Sequence, residues 1–278
     1  MKWSAYWRLM RFDKPVGILL LWFPTAWALW LANNGAPPLK LFLLFLSGTV
    51  LMRAAGCVIN DIADRDIDKH IARTKLRPLT SGEISLKQAL TLLGVLLFAA
   101  FLILLQLPWN SFYLGFIALF IAILYPYCKR FISAPQLVLG LAFSMGIPMA
   151  YVVSGVALNA ESALLFAINF AWIVAYDTMY AMTDKEDDLK IGVKSTAIYF
   201  ASYDRLIIGL LQCVSHGLWL YWALISYNTH QWFYICWAAA GLVLIYQQKL
   251  ISKREPAQCF KAFIVSVYYG ALMWLAVI

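Results

Sequence analysis

Charge is scarce in this chain. Asp, Glu, Lys and Arg together make up 13% of its 278 residues, against about a quarter in a soluble domain. Histidine is scarcer still: His70, His216 and His230 are the only three, and they show no metal-ligand spacing. The five cysteines, Cys57, Cys128, Cys213, Cys236 and Cys259, form no CxxC pair and mostly sit in apolar runs. That pattern argues against a disulfide framework or a zinc cluster and predicts small buried apolar residues. No linker or low-complexity stretch divides the sequence, so one domain over 1–278 is expected. A continuous apolar h-region is missing from the opening MKWSAYWRLMRFDKP, and no removable signal peptide is expected there. Trp3, Tyr6, Trp7 and Met10 instead recur at helical spacing, which predicts a short interfacial helix over about 2–13.

What the chain has in quantity is hydrocarbon. It is 63% hydrophobic and 16% aromatic, with a mean hydropathy of +0.74, the composition of a polytopic membrane protein. A crossing needs about 20 apolar residues. Nine stretches qualify, roughly 16–33, 40–59, 86–106, 110–127, 135–157, 162–183, 205–226, 231–248 and 261–278. Twenty of the 22 basic residues fall before the first span or after an even-numbered one; Lys40 lies on the other side and Arg53 inside a span. The positive-inside rule therefore puts the N-terminus and the charged loops in the cytoplasm and the C-terminus outside. The net charge of +8 is explained by this topology, and no nucleic-acid partner is required. Nothing in the sequence names a protein partner.

The charges that remain are clustered. The run NDIADRDIDKHIARTKLRPL, 60–79, follows a long apolar stretch, and a second charged loop spans 183–204. Asp64 and Asp68 form a DxxxD pair, repeated by Asp184 and Asp188, each at the cytoplasmic end of an even-numbered span. Residues four apart share a helix face, so Asn60, Asp64 and Asp68 are expected to form one stripe, with Asp61 about 100° away. Like charges so spaced need a cation, and hard oxygen donors suit Mg2+, which characteristically shares carboxylates with substrate phosphates. Asp177, seven residues before Asp184, lies on the same face about 10 Å deeper. Arg53, seven before Asn60, is the matching deep charge on the other span. Intramembrane charges mark functional sites by default, although the two could simply neutralise each other. A charged surface site, a polar pocket beneath it and lipid alongside suit a diphosphate with a long hydrocarbon tail. Tyr176 and Tyr180 are expected near that pocket.

These residues resemble a known family. NDIADRDID is similar to the NDxxDxxxD signature of the UbiA superfamily of intramembrane prenyltransferases, and IARTKLRPLTSG to the segment that follows it. YDTMYAMTDKEDDLKIGVKST resembles the second motif of the branch acting on 4-hydroxybenzoate; RLMRFDKPVGILLLWFPTAWAL and YPYCKRFISAPQLVLGLAFSMGIPMAY fit the same branch. The resemblance implies an all-α fold of nine transmembrane helices around a central cavity, Mg2+ dependence, and transfer of a polyprenyl group to the aromatic ring in ubiquinone biosynthesis. It implies Asn60, Asp64, Asp68, Asp184 and Asp188 as the Mg2+-diphosphate ligands. Asp61, Arg65, Arg73, Arg77, Lys185 and Lys194 would be substrate-binding; Arg130 would be the catalytic basic position of its segment, with Lys129 its secondary, substrate-binding neighbour. Arg53 is then a candidate anchor for the substrate carboxylate, and Asp177 a polar contact or base near the phenol. The same fold could serve another acceptor (a naphthoate, homogentisate, chlorophyllide or haem). A transporter is the reading from a different class, disfavoured because the clusters sit at one surface rather than at mid-membrane. A bacterial inner membrane is the expected location.

Overall fold

A computed structural model describes residues 3–71, 73–226 and 229–278. Lys2, at the start of the expected interfacial helix, and part of the loop over 226–231 lie outside the described residues. The described chain is all α-helical apart from short 3-10 turns and loops. The helices are α1 (Trp3–Leu9), α2 (Val16–Ala32), α3 (Leu39–Ala63), α4 (Leu86–Leu104), α5 (Phe112–Phe131), α6 (Pro135–Ser144), α7 (Gly146–Val153), α8 (Ala160–Ile191), α9 (Thr196–Tyr199), α10 (Asp204–Ile225), α11 (Gln231–Leu250) and α12 (Pro256–Val277).

Nine spans were expected; eight helical segments are long and apolar enough to cross a membrane, among the described residues. The shortfall is α2, which is apolar but has 17 residues. It is stopped early by its flanks, with Pro15 before it and the left-handed Asn34 and Gly35 after it. The span expected over 135–157 is two helices, α6 and α7, meeting at Met145. Pro148 explains the break: it has no N–H to give, and its ring collides with the carbonyl four residues back, at Ser144, where α6 ends. The span expected over 162–183 runs on as α8 to Ile191, so that its acidic motif is helical throughout. Asn159 and Ser162 form a capping box at its start, and Gly192, at φ 72°, closes its end in the left-handed region.

α8 is the central element. It packs against α6, α10 and α12 and, at its end, α9. Its face carries Trp172 and Tyr176 into a core shared with Trp27, Trp219 and Tyr269. Trp27 and Trp172 sit 5.3 Å apart between ring centroids, and Trp27 donates from Nε1 to the Gly270 carbonyl at 3.1 Å. A second, smaller core joins Leu9 of α1 to Ala54 and Val58 of α3, Ile84 in the following loop and Ala89 of α4. This core presses the N-terminal segment onto the C-terminal half of α3. α4 and α5 bury little of their surface, as expected of helices with one side on lipid and the other on a hollow interior.

Candidate active site

α3 does not carry the acidic stripe to its end as one helix. It stops at Ala63; Asp64 caps it, and Asp68 opens a short 3-10 turn. The expected helical face is thus corrected, yet the side chains still gather. The Asp64 N–H bonds the Asn60 carbonyl at 2.9 Å and the Asp68 N–H bonds the Asp64 carbonyl at 2.8 Å, so helical i to i+4 bonding continues locally. Thr74 fixes the turn from the other side, donating from Oγ1 to the Asp68 carbonyl at 3.0 Å.

Each carboxylate of the first motif meets a cation. Lys129 of α5 donates to Asp64 Oδ2 at 2.7 Å and to Asn60 Oδ1 at 3.2 Å. Arg77 bridges Asp68, at 2.6 Å, and Asp61, at 3.1 Å. Asp61 is fully buried and also accepts from Arg11 at 2.8 and 3.1 Å. Burial pushes the Asp68 carboxyl above the usual range, its acidic neighbours Asp61 and Asp64 adding to the shift while Arg77 opposes it. Burial works against the Arg77 charge in turn, but Asp61 and Asp68 more than offset it. On α8, Asp184 takes two hydrogen bonds from Arg73 Nε, at 2.9 and 3.2 Å, and a third from Nη2. Arg73 also lies over the Tyr180 ring, 4.8 Å from its centroid. The Arg73 pair ties the loop after α3 to α8, bringing the two DxxxD motifs onto one cavity. Two groups stand apart from this pairing: Asp64 Oδ1 is buried without a hydrogen-bond partner, and the Asp188 carboxylate accepts none among the described residues.

Below the charged mouth lie Arg53 and Asp177, both on the same cavity wall. They make no ion pair at contact distance, although the Arg53 charge still acts on Asp177. Arg53 donates from Nη1 to Cys57 Sγ at 2.9 Å, faces the Phe143 ring at 5.8 Å, and leaves Nε buried without a partner. Tyr125, Tyr176 and Tyr180 surround them. Further along, the lining turns apolar, with Phe45 and Met52 from α3, Phe101 and Leu104 from α4, and Phe116 and Leu119 from α5. The whole cavity holds about 1030 Å³, at the upper end for a ligand pocket.

Three expected residues stay outside it. Arg65 sits 3.7 Å from Asp66. Arg130 donates to the Ala63 carbonyl at 2.6 Å, satisfying the exposed C-terminal end of α3. Lys185 turns away to Asp204, at 3.0 Å, and fastens α8 to α10. Lys194 lines the cavity while donating to the Phe131 carbonyl at 2.9 Å.

The model of the UbiA prenyltransferase family matches residues 21–276. The chain belongs to that family. Its relatives include the 4-hydroxybenzoate octaprenyltransferases of Legionella pneumophila (strain Corby), 65% identical over 99% of this chain and 97% of that one, and of Pasteurella multocida (strain Pm70), 50% identical over 99% and 94%. Among solved structures, an apo UbiA homolog from Aeropyrum pernix K1 superposes with a TM-score of 0.79 at 24% identity, over 92% of this chain and 96% of that one. A UbiA homolog from Archaeoglobus fulgidus bound to GPP and Mg2+ gives 0.75 at 21% identity, over 97% and 99%. These likenesses establish the UbiA fold for this all-α integral membrane protein.

Within that fold, several cavity residues were not anticipated from the sequence. Arg8, Arg11, Asp13 and Lys14 reach the rim, and Gln136 and Tyr125 line the wall. Arg11 was visible only as one more topogenic charge. Its contact with Asp61 depends on a left-handed backbone at φ 61°, which no local pattern announces. Lys129 and Arg130 exchange the weights given to them: Lys129 enters the cavity, and Arg130 caps a helix from outside.

Proposed function

We propose that this UbiA prenyltransferase, acting as one transmembrane domain, moves a polyprenyl group from an allylic polyprenyl diphosphate to 4-hydroxybenzoate. The ring carbon ortho to the hydroxyl accepts the group, and diphosphate is released, as ubiquinone biosynthesis requires. The observation that carries the reading is a single cavity with two acidic motifs and their cations at one end, Arg53 and Asp177 beneath, and hydrocarbon beyond. Identity of 65% across nearly the whole chain to a protein named for 4-hydroxybenzoate favours that acceptor over a naphthoate, homogentisate or haem.

No three His, Cys, Asp or Glu side chains among the described residues form a ready-made metal cluster. The donor set nevertheless suits Mg2+: hard oxygens only, with Asp64 Oδ1 unpartnered and Asp188 open to the cavity. Asn60, Asp64, Asp68, Asp184 and Asp188 are the residues that would hold it. When bound there, Mg2+ would offset the negative charge that develops on diphosphate as it leaves.

The protein's own groups supply the rest. Arg73, Arg77, Lys129 and Lys194 present positive charge to the diphosphate oxygens. The C–O bond to the allylic carbon breaks, and the ring carbon beside the phenol forms the new C–C bond. Arg53, whose charge meets no carboxylate of the protein, anchors the carboxylate of the acceptor. Asp177 lies near enough to the same pocket to take a proton from the phenol or ring. The basic asymmetry of the loops supports an orientation with the charged mouth in the cytoplasm.

The test is direct. Membranes holding the protein, given Mg2+, a short allylic diphosphate and 4-hydroxybenzoate, should form the prenylated acid by mass spectrometry. Product from another aromatic acid and none from this one would move the assignment to a different acceptor. No product from any acceptor would reinstate transport.

A further inference from the structure

Gly17 lies in the first turn of α2, buried, with an ordinary helical backbone. No positive φ calls for glycine here, and alanine is the better helix former. The reason for glycine is across the cavity. A Cβ at this position would stand 2.4 Å from both Nε and Nη2 of Arg53 and 2.8 Å from its Cζ. A point equidistant from the two nitrogens and farther from the carbon lies off the Nε–Nη2 edge in the guanidinium plane, not over the face. The α2 backbone therefore abuts one edge of the guanidinium. On the other side, Nη1 is held by Cys57 Sγ at 2.9 Å. These two contacts fix the plane of a side chain that has four rotatable bonds and no carboxylate to hold it.

We infer that Gly17 is a positioning residue for the acceptor, setting where the Arg53 guanidinium sits by leaving it room against α2. The inference rests on the reading of Arg53 as the anchor for the acceptor carboxylate. A methyl group at 17 must be cleared to the usual 3.5–4.0 Å of a carbon contact. The guanidinium is the far end of a flexible chain and yields more readily than α2, so it moves by about 1 Å or more. That movement takes it away from α2, out of the position in which it would meet the acceptor carboxylate. A displacement of that size costs roughly 10- to 100-fold where orientation matters. The donor diphosphate, bound nearer the mouth, is untouched.

Steady-state kinetics of Gly17→Ala, Arg53→Ala and the double variant in membranes test this. Gly17→Ala should raise KM for 4-hydroxybenzoate roughly 10-fold or more while leaving KM for the allylic diphosphate unchanged. In the double variant the added methyl has nothing to displace, so its KM should equal that of Arg53→Ala alone. An unchanged acceptor KM in Gly17→Ala, with a raised one in Arg53→Ala, would overturn the positioning role. So would a double variant whose loss is the product of the two single losses, since Gly17 would then act independently of Arg53. An unchanged KM in Arg53→Ala would instead remove the anchor reading on which this one rests. Should Gly17→Ala fail to fold, the double variant must fold, because the clash is gone; its failure too would show that Arg53 is not what the glycine accommodates.

Discussion

Asp64 and Asp184 are placed alike. Each carboxylate is paired with one cation, Lys129 for Asp64 and Arg73 for Asp184, and each faces the cavity. Neutralising either removes an oxygen donor of full charge while changing the side-chain volume very little. Asp64→Asn and Asp184→Asn are therefore expected to cut kcat by at least 100-fold, within the range set by single electrostatic groups in preorganised sites. Both variants should extract from membranes as folded protein, because Lys129 and Arg73 are part-exposed and can find water. Retained turnover in either, with unaltered Mg2+ dependence, would remove that residue from the metal-diphosphate site. Asp61 is the instructive contrast. It belongs to the same sequence signature, yet its carboxylate is fully buried and engaged by Arg11 and Arg77 together. It holds two arginines at once while also lining the cavity.

That difference becomes a property of the segment after α3. This loop is pinned from four directions: Arg11 and Arg77 on Asp61, Arg77 on Asp68, Arg73 on Asp184, and Arg8 on Glu83. The exposed Arg8–Glu83 pair adds little, as surface pairs do. The Asp61 node is another matter, since taking away one partner of a buried charge pair strands the others, at a cost of about 3–5 kcal/mol. Asp61→Ala should lower the melting temperature in detergent and open the 64–85 loop to trypsin at Lys69 and Lys75, while Asp64→Asn should do neither. Equal protease resistance in the two variants would refute the division of labour. The loop also marks how far the sequence could be read. Helical spacing correctly grouped Asn60, Asp64 and Asp68, because one turn of i to i+4 bonding persists past the helix end. It could not foresee that α3 stops at Ala63, nor that Lys129 rather than Arg130 turns inward: adjacent residues on a helix differ by 100°, and the sequence does not say which side faces the cavity. Lys185 sat inside a motif and still points to Asp204, since α8 presents opposite faces to the cavity and to α10. The Arg11–Asp61 contact spans 50 residues and follows from tertiary packing alone.

The molecule as a whole resolves a conflict between its substrates. The acceptor is small, anionic and water-soluble, whereas the donor joins a charged head to a tail that belongs in lipid. Central burial on α8 and shallow burial on α4 and α5 make the interior lopsided, with packed aromatic core on one flank and open apolar cavity on the other. On the proposed function, the tail would lie between α3, α4 and α5, with its terminal units reaching toward lipid. Gly115 of α5 sits at the far end of this path, where a Cβ would meet the two Leu104 methyl groups at 3.1 and 3.2 Å. A large side chain there would narrow the passage without approaching the charged mouth. Gly115→Phe is expected to lower kcat/KM for a long polyprenyl diphosphate at least about 10-fold more than for a five- or ten-carbon donor, a difference of about 1.4 kcal/mol in transition-state stabilisation. The KM for 4-hydroxybenzoate should not change, because Arg53 and Asp177 lie well inside the other end of the cavity. Equal losses for short and long donors would mean that the tail leaves by some route other than the α4–α5 side.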